Sequence, residues 1–467
     1  MGRALFSTPP LTVCLVLCCC LFALVARGGP RDEPGRLLVF VEVPSETPPA
    51  TILDLAGIEA VGNGSAVRQV TLRHQQLDAR ALMGRQILLA EMELPAGSYH
   101  VLKLHLDGVR TAVGTAPVVP GVDPAGYAVT VDMELAAGAC EAVFLRWLPA
   151  RESGRDQPYV PRLEVRLEPL PPLGSLALVT RRDPGMLVAV DRMAGRVVHV
   201  QRLGEDPRDV VYLPLRQKIF VALAGQDALV EVDALSLRQE RVIPLQFGDE
   251  PSRLALAPDG GTLHVLNVGS RSLATLNVWS LQERSRVAVG EGPRDMDVDI
   301  RSGQVYVACE DEGQVQVVDP DQGRIVATHS AVSSPVAVVF DSDLRRLYVA
   351  SASQYRLFGF DLMEGADLGS QSLCGSAVDL VFEPRAHQVF AAVPGCRQVA
   401  VLRPAAGVEF APLKLSHSPQ RLAFDAEYSQ FLATAPGAGI VVIGDPHSGR
   451  TLASVEVGGT PTAVVVP

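Results

Sequence analysis

A proline opens a short apolar strand at a near-constant interval through the last 260 or so residues: Pro207, Pro251, Pro293, Pro335, Pro419 and Pro461. Pro251 to Pro293 and Pro293 to Pro335 are both 42 residues. Pro335 to Pro419 is 84, two periods, with Ala377 in the missing slot, and Pro207 to Pro251 is 44. No other feature restricts the fold as much. A unit this short cannot bury both faces of its sheet, so like units must stack on one another.

The content of each unit says how they stack. A glycine-rich or polar turn ("GEDP", "GDEP", "GEGP") leads into the proline and a first strand, such as "VAVVF". A second follows ("VYVAC", "LYVAS"), then a third usually closed by Asp ("LVEVD", "VQVVD"), then a fourth ("RVVHV", "RIVAT"). Val, Leu and Ile dominate, and no helical periodicity competes. Four short strands per period of about 40–45 residues predict β-propeller blades. The count is seven. Residues 176–204 supply three outer strands without an innermost one, and "PTAVVVP" at 461–467 is an innermost strand without followers. The last strand is therefore expected to complete the first blade and close the ring.

At 467 residues the chain is too long for one ordinary core, and residues 36–149 do not share the period. Alternating segments such as "YHVLKLHLDGV" and "YAVTVDMEL", separated by turns, predict a β-sandwich there, with a further strand near 162–168. Residues 150–173 read as a linker and 174–467 as the propeller. The fold class is all-β: an N-terminal β-sandwich followed by a seven-bladed propeller.

Two resemblances accompany this reading. "VYVACEDEGQVQVVDPDQGRIVATHSAVSSPVAVVF" resembles the YVTN-type propeller repeat, and Asn267 keeps the Asn of that motif. Trp279, the only Trp of the region, stands outside a WD dipeptide, which disfavours a WD40 scaffold. "LLAEMELPAGSYHVLKLHLDGVR" is similar to DUF4382, a family of uncharacterised bacterial exported domains. Such propellers host unrelated roles, so the resemblance implies a fold and leaves function open.

Residues 1–28 read as an export signal: Arg3, then the apolar run "LTVCLVLCCCLFALVA" at 11–26, then Arg27-Gly28-Gly29-Pro30. The run is short for a membrane span, which needs about 20 apolar residues. A periplasmic or cell-surface location follows. Cys18, Cys19 and Cys20 are candidate lipid acceptors, although Leu15-Val16-Leu17 lacks the small residue of a lipobox. Asn63-Gly64-Ser65 is a glycosylation sequon only in a eukaryote, and a bacterial source is expected.

The net charge of −11 gives no footprint for nucleic acid or anionic lipid, and the 5% aromatic content disfavours base stacking. No "CxxCH", Walker, G-x-S-x-G or dinucleotide motif is present, and the propeller histidines fall at different points of their units. No cofactor, metal or catalytic set is therefore assigned, and a monomer is expected.

The internal repeat allows equivalent positions to be compared. Two places after the marker proline stand Asp209, Arg253, Asp295, Ala337, Asp379, Arg421 and Ala463; one place after it stand Arg208 and Arg294 among others. These positions begin the innermost strands and are expected at the mouth of the central channel. Arg208, Asp209, Arg253, Arg294, Asp295, Asp297, Asp379 and Arg421 are the candidate ligand-binding set, against the alternative of a solvated rim of Arg–Asp pairs. Asp297 is singular, because its siblings are Val or Ala. The run Asp295, Asp297, Asp299 imitates a calcium loop, but Ile300 and Tyr306 occupy the sixth and twelfth positions, where an EF-hand needs Gly and Glu. Cys374 and Cys396 fall on turns at the same face of one blade, which allows a disulfide or leaves two free thiols.

Two functions are compatible with these residues. The first is an exported, non-enzymatic protein that binds a protein partner or extracellular ligand on one propeller face. The second is a lactonase-like hydrolase using Asp209, Asp295, Asp297 and Asp379 at the channel mouth.

Overall fold

The computed structural model describes residues 33–46, 48–62, 65–69, 72–113, 116–119, 121–149, 159–166, 170–330, 332–403, 408–409 and 411–467. The apolar leader with its four cysteines, the Asn63–Gly64 part of the sequon and residues 150–158 of the expected linker lie outside them.

Seven antiparallel sheets form the propeller. Blade 1 holds Leu176–Arg181, Met186–Asp191 and Arg196–Arg202, and its innermost strand is Pro461–Val465. Leu178 faces Val465 and Thr180 faces Ala463 in that pairing, so the ring closes as the repeat count requires. The innermost strands of blades 2 to 7 are Pro207–Leu213, Pro251–Leu256, Pro293–Val298, Pro335–Asp341, Asp379–Glu383 and Leu422–Asp425. The second strand of most blades is buried on both faces, as in Thr262–Asn267 and Val305–Cys309, because sheets stack on either side of it.

The repeated sequence marks have local causes. The Asp or Asn ending the third strand accepts N–H groups two and three residues on: Asp191 from Met193 and Ala194, Asn277 from Trp279 and Ser280, Asp361 from Met363 and Glu364. That bond builds the turn to the fourth strand. The acid ending the innermost strand does the same on the same face and also reaches the next blade. Asp341 accepts from Asp343 and Leu344 and pairs with His387 at 2.8 Å; Asp425 accepts from Glu427 and pairs with Arg192, joining blade 7 to blade 1.

At the opposite face, the residue before the marker proline offers its carbonyl to an N–H seventeen places after the proline. Ala224 donates to Asp206 (3.0 Å), Val268 to Glu250 (3.3 Å), Glu310 to Gly292 (2.8 Å), Ala352 to Ser334 (3.0 Å) and, in blade 1, Arg182 to Thr460 (2.8 Å). In blades 2 to 5 the acceptor residue is left-handed, with φ of 49°, 47°, 66° and 47°. Only Gly292 takes that conformation without strain.

The sandwich has one sheet ordered Arg162–Val165, Cys140–Leu148, Gly35–Glu42, Gln86–Leu94, and a six-stranded sheet built around Thr51–Gly62 and Gly97–Val113. Tyr127–Leu135 alternates buried and exposed along its whole length, whereas Gly35–Glu42 does not. Leu37, Val39 and Val41 enter the sandwich core, while Leu38 and Phe40 enter a second core. That second core is shared with Val188 and Val197 of blade 1 and Val441 and Val455 of blade 7. The sandwich therefore lies across the two blades that meet at the closure. Polar bonds follow the same seam. The buried Arg181 guanidinium reaches Glu91 at 2.5 Å and the Val457 carbonyl at 3.2 Å, and Gln86 exchanges both amide bonds with the Val197 backbone. Glu456 accepts from Leu88 N–H at 3.1 Å.

Candidate functional site

Innermost strands have no hydrogen-bonding neighbour on their channel side, so their N–H groups need acceptors. This chain supplies carboxylates. Asp209 of blade 2 accepts from Leu254 of blade 3 (2.8 Å), Asp295 of blade 4 from Val338 of blade 5 (2.9 Å), and Asp379 of blade 6 from Leu422 of blade 7 (2.8 Å). Each spans from two places after one marker slot to three places after the next. Between blades 1 and 2 the link runs the other way, with Thr462 Oγ1 donating to the Pro207 carbonyl at 2.6 Å.

Arg253 ties these acceptors across the channel. Its Nη2 lies 2.7 Å from Asp295 and 2.8 Å from Asp379, which stands three blades away, as far as a seven-membered ring allows. Arg421 shares the same Asp379 oxygen at 2.9 Å. Three carboxylates, Asp209, Asp295 and Asp379, thus meet two guanidinium groups. Burial raises all three acids, with Arg253 opposing it, and Asp379 is pushed up to about 7. Burial pulls Arg253 down, but Asp295, Asp379 and Asp209 outweigh it and hold the guanidinium charged. The cluster is neutral when it retains one proton.

The sequence-selected residues therefore separate into two groups. Asp209, Arg253, Asp295, Asp297 and Asp379 are packed below the mouth, bonded to one another or to backbone, and do not form the solvated rim that their positions suggested. Arg208, Arg294 and Arg421 line the mouth itself, joined by Arg182, in a cavity of about 740 Å³ that Arg421 connects to the ion cluster through Asp379. Ser252, Gln420, Thr460 and Thr462 add polar groups to the wall, and Glu310 is its one acid. Arg182 and Arg208 pair with Asp206 at 2.6 and 2.9 Å, and Arg294 with Glu310 at 2.5 Å. Arg182 and Glu310 escaped sequence reasoning, although both stand directly after the second strand of their blade, Leu176–Arg181 and Val305–Cys309, a second register of the same repeat.

Asp297 is one more backbone acceptor. Its carboxylate takes the Phe340 N–H at 2.7 Å and the Val298 N–H at 2.9 Å, one step deeper than Asp295 does with Val338. Among the described residues no cation pairs with it, and burial pushes it up to about 6, with the two N–H groups opposing and Asp295 and Asp299 adding. This has a measurable sign. An acid raised above its ordinary 3.8 holds a proton in the fold that the unfolded chain has released, so stability falls as pH rises from about 4 to 6. Asp297→Asn keeps an acceptor for Phe340 and should flatten that part of the urea-denaturation midpoint against pH. An unchanged slope would remove Asp297 as its source.

Among the described residues no group of three or more His, Cys, Asp or Glu side chains is disposed to hold a metal ion. Cys374 and Cys396 are joined, with Cα atoms 6.3 Å apart, while Cys140 and Cys309 are buried thiols. A second cleft of about 740 Å³ lies between the sandwich and blade 1, lined by Val131, Met133, Val143 and Phe144 with Glu134 and Glu141. The mouth differs from it in setting four arginines against the single acid Glu310 among its described lining residues.

Known proteins share parts of this architecture. Residues 219–340, from blade 2 to the innermost strand of blade 5, match the family described as lactonase, 7-bladed beta-propeller. A functionally unknown protein from Desulfotomaculum acetoxidans superposes with a TM-score of 0.54 at 12% identity, over 63% of this chain and 99% of that one. Hydrazine synthase of Kuenenia stuttgartiensis gives a TM-score of 0.49 at 18% identity, over 55% and 88%. A BTB/POZ domain-containing protein of Arabidopsis thaliana is 31% identical over 98 residues, which span 21% of this chain and 21% of that relative. At 12% identity the likeness to the Desulfotomaculum acetoxidans protein is one of fold alone.

Proposed function

We propose that this chain is an exported, non-enzymatic binding protein whose propeller mouth takes an anionic ligand or an acidic partner surface. One observation carries the reading. Arg182, Arg208, Arg294 and Arg421 ring a cavity whose only lining acid among the described residues is Glu310, on a chain of net charge −11. The buried acids beside it are paired with Arg253, Arg421 and backbone N–H groups, so they rigidify the ring without presenting free carboxylates to a ligand. The outer arginines are only loosely committed. Arg294 and Arg182 are 60% and 45% exposed, and ion pairs in water at such positions are worth about 0–1 kcal/mol. A bidentate phosphate or carboxylate competes well with them. The signal-like leader and the DUF4382-like sandwich support export, and the YVTN-like repeat suits a display scaffold.

Titration calorimetry with inorganic pyrophosphate and with citrate tests this. Binding should weaken as salt rises, and Arg182→Gln with Arg294→Gln should reduce affinity by about tenfold or more, the equivalent of one lost charge-assisted contact. Absence of binding by both anions, or indifference to the double substitution, would sink the reading.

The lactone-hydrolase alternative draws on the matched family stretch, which contains Arg253, Asp295 and Asp297. In that reading Asp297, lifted toward neutrality, is the general base. Lactone hydrolysis that disappears in Asp297→Asn while pyrophosphate binding persists would favour it.

A further inference from the structure

Blade 6 differs from its siblings where the mouth loop is tied down. In blades 2 to 5 the carbonyl before the marker position receives an N–H from seventeen places after it, and in blade 1 the equivalent Thr460 carbonyl receives one from Arg182. In blade 6 those residues are Ser376 and Pro394, and proline has no N–H to give. Blade 6 also lacks the marker proline, with Ala377 in its place. The disulfide lies across this gap: Cys374 stands two residues before Ser376, and Cys396 two residues after Pro394. The covalent bond does in blade 6 what a backbone hydrogen bond does in the other five. Blade 7 carries Pro436 at the same position, and there the loop leans on blade 6 instead, with Ser418 Oγ donating to the Pro394 carbonyl at 3.0 Å.

We propose that the Cys374–Cys396 bridge is a redox latch on the mouth, closed when oxidised and released by a dithiol reductant; its effect on ligand rests on the mouth being the binding site. Cys374 is exposed and Cys396 half-buried, so a reductant thiolate attacks the Cys374 sulfur. The Cys374–Cys396 bond breaks as a mixed disulfide forms, and Cys396 leaves as a thiolate and takes a proton. The second thiol of the reductant then displaces Cys374, giving two protein thiols and one reductant disulfide. Two electrons pass. Ser376, Ala377 and Val378 line the mouth immediately after Cys374. With the bridge open, the tie nearest this register among the described residues is the Val378 N–H to the Ala392 carbonyl at 3.0 Å, two places further along the chain, and the Ser376 carbonyl itself stays unheld. The slack reaches blade 7 through Ser418, and so reaches Gln420 and Arg421 on the mouth wall.

Hydrogen exchange on the full chain, with and without dithiothreitol, tests the latch without reference to ligand. Amides of 375–379 and 418–421 should exchange faster when reduced, and those of blades 2 to 5 should not change. Pyrophosphate affinity should fall by roughly threefold to tenfold on reduction, since binding must then reorder the loop. Pro394→Ala restores the N–H and should make both readouts insensitive to reductant. Exchange that is unchanged by reduction, or equally sensitive in Pro394→Ala, overturns the latch. Faster exchange with no pyrophosphate binding even in oxidised protein keeps the latch and rejects the mouth as an anion site.

Discussion

A chain cut after Gly459 is expected to lose its cooperative thermal transition altogether. Among the described residues Pro461–Val465 is the only strand paired with the inner edge of Leu176–Arg181, and Ala463 and Val464 are buried within the cores on either side of blade 1. Burying a valine is worth about 1.5–3 kcal/mol, and each hydrogen bond of the pairing adds about 0.5–1.5 kcal/mol. Thr462 also bonds Pro207 of blade 2 and the hydroxyl of Thr180. Together these approach the whole stability of an ordinary domain, about 5–15 kcal/mol. Their loss moreover opens two blade faces, because blade 1 can no longer lie flush between its neighbours. Calorimetry and near-UV circular dichroism of the truncated chain provide the check. A single sharp transition within a few degrees of the intact protein would mean that the ring holds without its closing strand.

Arg253→Met is the second large effect, and its size depends on pH. The substitution leaves Asp295 and Asp379 buried without the cation that both share. Removing one member of such a cluster costs about 3–5 kcal/mol, because the remaining charge is stranded. Arg253 opposes the rise of both acids, so its removal lifts them further above their ordinary range. Both then bind protons in the fold that they release on unfolding, and stability drops as pH increases. The deficit should be full at pH 8 and much smaller at pH 5, as read from urea denaturation. Adding Asp295→Asn and Asp379→Asn to Arg253→Met should recover most of the pH 8 loss. An equal deficit at both pH values would show that lost packing, and not stranded charge, is responsible.

The ring was legible in the sequence because its cause is periodic. Each unit repeats the same turn chemistry and apolar strands, and counting strands at both ends requires the closure between Leu178 and Val465. The charges at the innermost strands were also legible, but their partners were not. Nothing local in "PSRLAL" says that Arg253 reaches an acid 126 residues away. That pairing exists only once the ring has closed and brings blades 3 and 6 face to face. Asp297 looked singular because its siblings are apolar, yet it serves the backbone as Asp295 does, a role that side-chain comparison alone does not reveal. The contact between sandwich and propeller did leave a trace. "LLVFVEV" does not alternate, while "YAVTVDMEL" does, and a strand apolar on both faces must be covered twice. The cover could not be named until Leu38 and Phe40 were seen against Val188 and Val441.

The position of the sandwich also has a meaning in time. Three strands of blade 1 are the first of the ring to leave the ribosome, and their fourth follows some 283 residues later, the separation of Thr180 and Ala463. Throughout that interval the blade is incomplete along its inner edge. Its outer side is not bare, since Leu38, Phe40 and Leu88 belong to a domain synthesised earlier and pack on the same valines. The nascent blade thus has a surface to rest on while six others are made, and the domain that comes first in the chain chaperones the element that is finished last.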